Sequence, residues 1–107
     1  MKILLDECLP VDLRHSFPGH EANSAEWAGL KGKKNGDFLR AAEIAGYTVL
    51  LTVDQGMPQQ TNAPGRKIAI LLLATPSNKM EDLLPLIQYV LVALQSVQPG
   101  QVVKLGH

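Results

Sequence analysis

Two stretches of this chain, residues 47–53 (YTVLLTV) and 67–73 (KIAILLL), are β-branched or apolar at almost every position. A strand with one wet face alternates apolar and polar side chains, whereas a run without alternation is covered on both faces. Such strands are the central members of parallel sheets, whose neighbours are joined by crossovers long enough to hold a helix. The two runs therefore predict an α/β class, a sandwich with a mainly parallel central sheet.

The rest of the chain reads in the same rhythm. Residues 2–5 (KILL) predict a buried strand, followed by a short helix to about His15 with Pro10 in its first turn. Residues 16–19 (SFPG) are a turn, and residues 20–24 a weak second strand. Residues 27–36 form a loop with three lysines and three glycines. Phe38, Leu39, Ala42 and Ala45 predict a helix over 36–45, with Asn35 as N-cap and Gly46 as its stop. Residues 55–66 carry two prolines and two glycines and predict an irregular loop. Ser77 is placed to cap a last helix whose stripe is Met80, Leu83, Leu84, Ile87, Leu91 and Leu94. Pro85 gives that helix a late start or a kink, Pro99 and Gly100 end it, and residues 101–105 add an edge strand.

At 107 residues the chain is expected to be a single domain, and a hydrophobic fraction of 46% speaks against disorder. Ten basic and ten acidic residues cancel, so contact with nucleic acid would have to come from a local patch. The single Cys8 rules out an internal disulfide and fits a reducing cytoplasm. Residues 68–74, the longest apolar run, are too few to cross a bilayer, and the N-terminus lacks signal-peptide form. The expectation is a small soluble cytoplasmic protein with no membrane partner.

The chemistry centres on three aspartates. Asp6 follows the first strand, Asp54 follows the central one, and Asp37 opens the middle helix. Each has a plain structural explanation: Asp6 as a cap, Asp37 as a first-turn acid favoured by the helix dipole, Asp54 as an Asx-turn into Gln55 and Gly56. Ligand sites of open α/β sheets form at the C-terminal strand ends, however, and carboxylates gathered there require a cation. Mg²⁺ or Mn²⁺ suits such a set, since hard ions take oxygen ligands and keep waters and substrate phosphate in the remaining positions. The ion can acidify a water and stabilise charge during phosphodiester cleavage. Thr52, two residues before Asp54, shares its side of the strand and can orient a water or ligand, or simply fill the strand.

Lys31, Lys33, Lys34 and Arg40 surround Asp37 without another acid among them. They form either a solvated loop or a grip on the phosphate backbone of a nucleic acid, to which Arg14, Arg66 and Lys67 could add. Glu7, Glu26 and Glu43 are candidate further acids, Glu43 being expected on an exposed helix face. Trp27 reads as a packing anchor rather than a base-stacking platform. Met57, Met80 and Cys8 read as core or near-core filler, and His15 and His20 as residues flanking a turn.

The segments LLDECLP and NGDFLRAAEIAGYTVLLTVD resemble the PIN-like superfamily of Mg²⁺-dependent ribonucleases. The nearer likeness is to a small branch whose members begin LLDENLP and carry T-x-D after the central strand. Residues 29–37 (GLKGKKNGD) and the last strand and helix also fit, so the likeness covers nearly the whole chain. It implies a three-layer α/β/α fold and an acidic site that cleaves RNA, often in the toxin of a toxin–antitoxin pair. Asp6, Asp37 and Asp54 match the metal-binding acids, and Thr52 the site Thr/Ser. A small antitoxin protein covering the crevice is the expected protein partner, and the stripe-bearing helices could support a homodimer. Three departures stand out: Gln55, Gly56 and Met57 replace the usual acid and aromatic, Cys8 replaces Asn, and the middle-helix acid has only Glu7 as a candidate. A catalytically inert PIN-like binding module is therefore the alternative.

Response-regulator receiver domains share other features. Asp6 and Glu7 resemble their paired acids, and Asp54 with Met57 and Pro58 resembles their phosphoacceptor segment. Thr75 and Lys104 loosely match their conserved Thr and Lys. Against that likeness, Leu105 rather than Pro follows Lys104, a Pro/Gly-rich loop stands where a helix belongs, and Asp37 has no role.

Overall fold

The computed structural model describes residues 1–57 and 66–106. Five strands form one sheet: β1 (Lys2–Leu5), β2 (Glu21–Ser24), β3 (Val49–Thr52), β4 (Ala69–Ala74) and β5 (Val102–Gly106). Their spatial order is β2-β1-β3-β4-β5, and every pairing is parallel. Among the described residues the helices are α1 (Asn35–Ile44), α2 (Met80–Leu83) and α3 (Ile87–Leu94), with 3₁₀ turns at Val11–Ser16 and Leu84–Leu86. The α/β class read from the apolar runs is the class observed.

Alternation along the strands divides the core in two. Ile3 and Leu5 of β1, Val49 and Leu51 of β3, and Leu71 and Leu73 of β4 share one cluster with Leu13, Leu83, Leu86, Val90 and Leu94. Leu4, Leu50 and Ile70 share the other with Phe38, Leu39 and Ala42 of α1. Side chains of one strand point to opposite faces at successive positions, so these clusters lie on opposite sides of the sheet. Ile3, Leu4, Leu5, Leu50, Leu51, Ile70 and Leu71 are fully buried, which is why their runs show no polar alternation.

Several local expectations shift. The short helix after β1 is a 3₁₀ helix, Val11–Ser16, in which only Leu13 is buried. Helix α1 is capped by extended Lys34 with no side-chain cap bond, and Asn35 is already helical. Gly46 ends it at φ 93°, a conformation that glycine adopts without strain. Glu43, expected on an exposed face, instead accepts a 2.7 Å bond from the Lys67 N–H and ties α1 to the approach of β4. The irregular loop expected over 55–66 lies mostly outside the described residues.

Pro85 breaks the last helix as its ring requires, leaving α2, one 3₁₀ turn and α3 in succession. Three residues per turn re-phase the helix face. Leu86 and Val90 therefore reach the core, while Leu84, assigned to the stripe by regular helical spacing, is 50% exposed. Ser77 lies before the helix start, and Lys79 occupies the cap position. The Ser77 hydroxyl accepts the Lys79 N–H and donates to Asp82, bracing the turn into α2.

Candidate active site at the β1–β3 seam

The chain passes from β1 out to β2 and returns to β3 on the other side of β1. The crevice beyond the C-terminal ends of β1 and β3 is thus the switch point at which open α/β sheets place ligands. Asp6 and Asp54 both lie there, one directly after β1 and the other two residues beyond β3. The Asp6 N–H bonds Leu51 O at 3.0 Å, carrying the ladder one step past the strand and fixing the start of the side chain.

Thr52 joins the two acids. It is wholly buried, and its hydroxyl donates to Asp6 Oδ2 at 2.7 Å while accepting the Asp54 N–H at 3.0 Å. The other Asp6 oxygen accepts the Glu7 N–H at 2.8 Å. Asp54 is exposed, and its Oδ1 accepts the Gly56 N–H at 2.9 Å, forming the Asx-turn. Glu7 is exposed and accepts the Gly32 N–H at 3.0 Å, fastening the basic loop to the end of β1.

Cys8 belongs to this cluster rather than to core filler alone. Its thiol lies 3.6 Å from Asp6 Oδ2 as donor and 3.7 Å from Thr52 Oγ1. Burial pushes the Cys8 pKa above the ordinary thiol value, and the neighbouring Asp6 charge adds to the rise; hydrogen bonding to the Val53 backbone and Thr52 opposes it. The residue is therefore a neutral thiol that donates toward a carboxylate, not a thiolate nucleophile. Its position two residues after Asp6 was the only signal in the sequence.

Asp37 is not brought to this cluster. It occupies the first turn of α1, where its Oδ1 meets Arg40 Nη1 at 3.2 Å, and the Asp37 side chain is 80% exposed. It lines an open groove of about 460 Å³ with Gly32, Lys33, Lys34, Arg40 and Ile44. Asp6 and Glu7 line a separate recess of about 110 Å³ with Ser24, Glu26 and Lys31. Among the described residues, no three His, Cys, Asp or Glu side chains are gathered as a metal site would gather them. The three acids expected together are not gathered among the described residues, and Asp37 in the first turn of α1 pairs with Arg40 instead.

Asp6 and Asp54 still fit Mg²⁺ in type and number, because that ion is commonly held by one or two carboxylates, with water and substrate phosphate completing the octahedron. Gln55, the residue after Asp54, supplies no charge. Its amide instead reaches the carbonyls of Val53 and Leu73 at 3.4 Å each, spanning the ends of β3 and β4.

The basic residues divide by partner. Lys31 lies 3.9 Å from Glu26, Arg40 pairs with Asp37, and Arg14 with Asp12 at 3.6 Å. Lys33 and Lys34 are exposed and form no ion pair among the described residues. Arg66 donates to Gly100 O at 3.1 Å, at the end of the sheet opposite the seam. Lys104 lies opposite Leu72, two steps before the β4–β5 ladder ends, and lines a different depression with Tyr89 and Leu105. Trp27 overturns its expected role: the indole is 72% exposed and anchors no core.

No protein-family model matches the chain, and neither the curated proteins nor the solved structures give a match. Among the described residues, no helix is long and apolar enough to cross a membrane.

Proposed function

We propose that this chain is a PIN-like domain that hydrolyses RNA phosphodiesters with Mg²⁺ or Mn²⁺, acting in the cytoplasm as the toxin of a toxin–antitoxin pair. The observation that carries the reading is the Asp6–Thr52–Asp54 linkage at the switch point of a parallel sheet. Core clusters on both faces of that sheet support the three-layer sandwich the family would require.

Asp6 and Asp54 would hold the ion. Bound there, it would neutralise charge building on the phosphodiester and help ionise the attacking water. Thr52 fixes the rotamer of Asp6 by donating to it, and aligns the Asp54 backbone by accepting from it. Glu7 fastens the loop carrying Lys31, Lys33 and Lys34, whose charges would hold the RNA backbone, with Arg40 alongside. A small antitoxin protein over the crevice and a second copy of the chain are the partners in this reading.

Two alternatives draw on particular observations. The absence of a three-acid group among the described residues favours an inert PIN-like module that binds without cleaving. The order 2-1-3-4-5 and an aspartate beyond β3 favour a receiver domain. Lys104, mid-ladder and away from the seam, does not serve the receiver's site.

The test is cleavage of RNA in Mn²⁺ by the purified chain beside its Asp6→Asn and Asp54→Asn variants. Cleavage lost in both variants supports the nuclease, and cleavage that survives in them belongs to a contaminant. Metal binding without cleavage favours the inert module, and stable labelling of Asp54 by a small phosphodonor favours the receiver.

A further inference from the structure

The loop from β2 to α1 carries an exposed aromatic ring and, a few residues on, three lysines. Trp27 is 72% exposed, an unusual state for the side chain with the most apolar area to lose. The backbone beneath it is tightly tied. Trp27 N–H bonds Ser24 Oγ at 3.1 Å, Ala28 N–H bonds Ser24 O at 3.0 Å, and Leu30 N–H bonds Ala25 O at 2.9 Å. Ala25 and Leu30 are buried in the α1-side core, so the loop is anchored on both sides of the indole. The ring is thus held out by a fixed backbone.

C-terminal to the ring the loop's charge has one sign, while exposed Glu26 directly precedes it. From Trp27 to Gly36 the chain contains Lys31, Lys33 and Lys34 and no acid. Lys33 and Lys34 lack an ion pair among the described residues, and Lys31 has only a 3.9 Å exposed contact with Glu26, which solvent screens. The same loop borders the Asp6 recess through Glu26 and Lys31, and its Gly32 N–H is bonded to Glu7. A ligand lying along it would meet an aromatic face, then cations, beside the proposed site. Anionic backbone and exposed π-faces together are the chemistry of an unpaired nucleic acid strand.

We infer that Trp27 is a stacking platform for a base of single-stranded RNA, with Lys31, Lys33 and Lys34 holding the adjoining phosphates. This rests on the nuclease reading and extends it, making the preferred substrate unpaired RNA, because duplex bases cannot reach the indole. Trp27 is a binding and positioning residue here and takes no part in bond breaking.

The chain has one tryptophan, so its own fluorescence reports the event. The experiment titrates a short oligoadenylate into the protein in EDTA, which keeps the strand intact, and measures affinity in parallel by anisotropy of labelled RNA. Saturable quenching is expected. Trp27→Ala should bind on the order of tenfold more weakly, and Trp27→Phe should recover most of the loss. Both variants should melt with the parent, since the ring covers no core. Duplex RNA should bind without quenching. RNA that binds but leaves the indole unquenched, or Trp27→Ala with parental affinity, overturns the stacking role and leaves the ring for a protein partner. If Asp6-dependent cleavage persists in that case, only this proposal fails; if the parent neither binds nor cleaves RNA, the nuclease reading falls with it.

Discussion

Thr52 and Asp6 share a 2.7 Å hydrogen bond across the seam between β3 and β1, with the buried hydroxyl as donor. The same oxygen accepts the Asp54 N–H, so one atom sets both acids. Thr52→Val keeps the shape but leaves an Asp6 oxygen short of a donor and the Asp54 N–H without its acceptor. Unsatisfied groups of that kind cost about 1–3 kcal/mol each when water cannot replace the partner. Thr52→Ser keeps the hydroxyl and gives up only one methyl group, about 1 kcal/mol. Urea denaturation should therefore rank the parent above Ser and Ser above Val. Equal stability of Ser and Val would remove the linkage from the account of the site.

The Cys8 thiol carries a pH dependence. Burial, then the Asp6 charge, raises its pKa in the folded chain, so the folded state keeps the proton to higher pH than the unfolded state does. The contribution to stability is complete below the ordinary thiol pKa. It is lost as pH climbs from there through the raised value, because the unfolded chain then holds fewer protons. Alkylation by iodoacetamide should accordingly be slow at neutral pH and accelerate at higher pH than for an unhindered thiol. Asp6→Asn should move that profile toward lower pH. An unshifted profile in the variant would mean that the carboxylate does not act on the thiol.

Gly100 and Gly19 have similar backbones and different surroundings. Both have positive φ, 77° and 82°, but a Cβ at Gly100 would stand 2.7 Å from Arg66 O, whereas at Gly19 nothing lies within 4 Å. Gly19→Ala meets only the left-handed backbone cost of about 1–2 kcal/mol. Gly100→Ala adds a clash with backbone that Gly100 itself helps hold, through its N–H to Lys67 O at 3.1 Å. The larger fall in thermal midpoint is expected at Gly100. Because that turn lies at the end of the sheet opposite the seam, metal affinity of the folded variant should match the parent.

The fold was legible because the burial that makes β1, β3 and β4 central also removes polar residues from them. Leu4, Leu50 and Ile70 face one core while Ile3, Leu51 and Leu71 face the other, and both sides had to be apolar. The site was legible only in part. Asp6, Thr52 and Asp54 follow from strand ends and period-two geometry. Asp37 depends on where α1 turns its first residues, and its neighbour Arg40 three positions on takes the charge locally. Cys8 and Glu43 find their partners across the fold, at Thr52 and Lys67, through contacts of high sequence separation that no local pattern encodes. Leu84 was misplaced for a nearer reason: helical spacing carried through Pro85 ignores the 3₁₀ turn the proline imposes.

The separation of Asp37 from the seam makes the metal claim divisible. An ion that binds only the folded chain raises its stability by about 2.7 kcal/mol at a free concentration a hundred times its dissociation constant. Removing a carboxylate ligand from a two-carboxylate site should abolish most of that gain, so Mn²⁺ should raise the melting temperature of the parent and hardly move Asp6→Asn or Asp54→Asn. Asp37 is bonded to Arg40 on an exposed turn, and such surface pairs contribute about 0–1 kcal/mol. Asp37→Asn should therefore change the metal-free melting temperature little and keep most of the Mn²⁺ response. A response lost in Asp37→Asn as fully as in Asp6→Asn would require the first turn of α1 to leave Arg40 and swing its carboxylate to the seam when metal binds. That rearrangement would restore the three-acid site and would show as metal-dependent protection of the α1 N-terminal amides from hydrogen exchange.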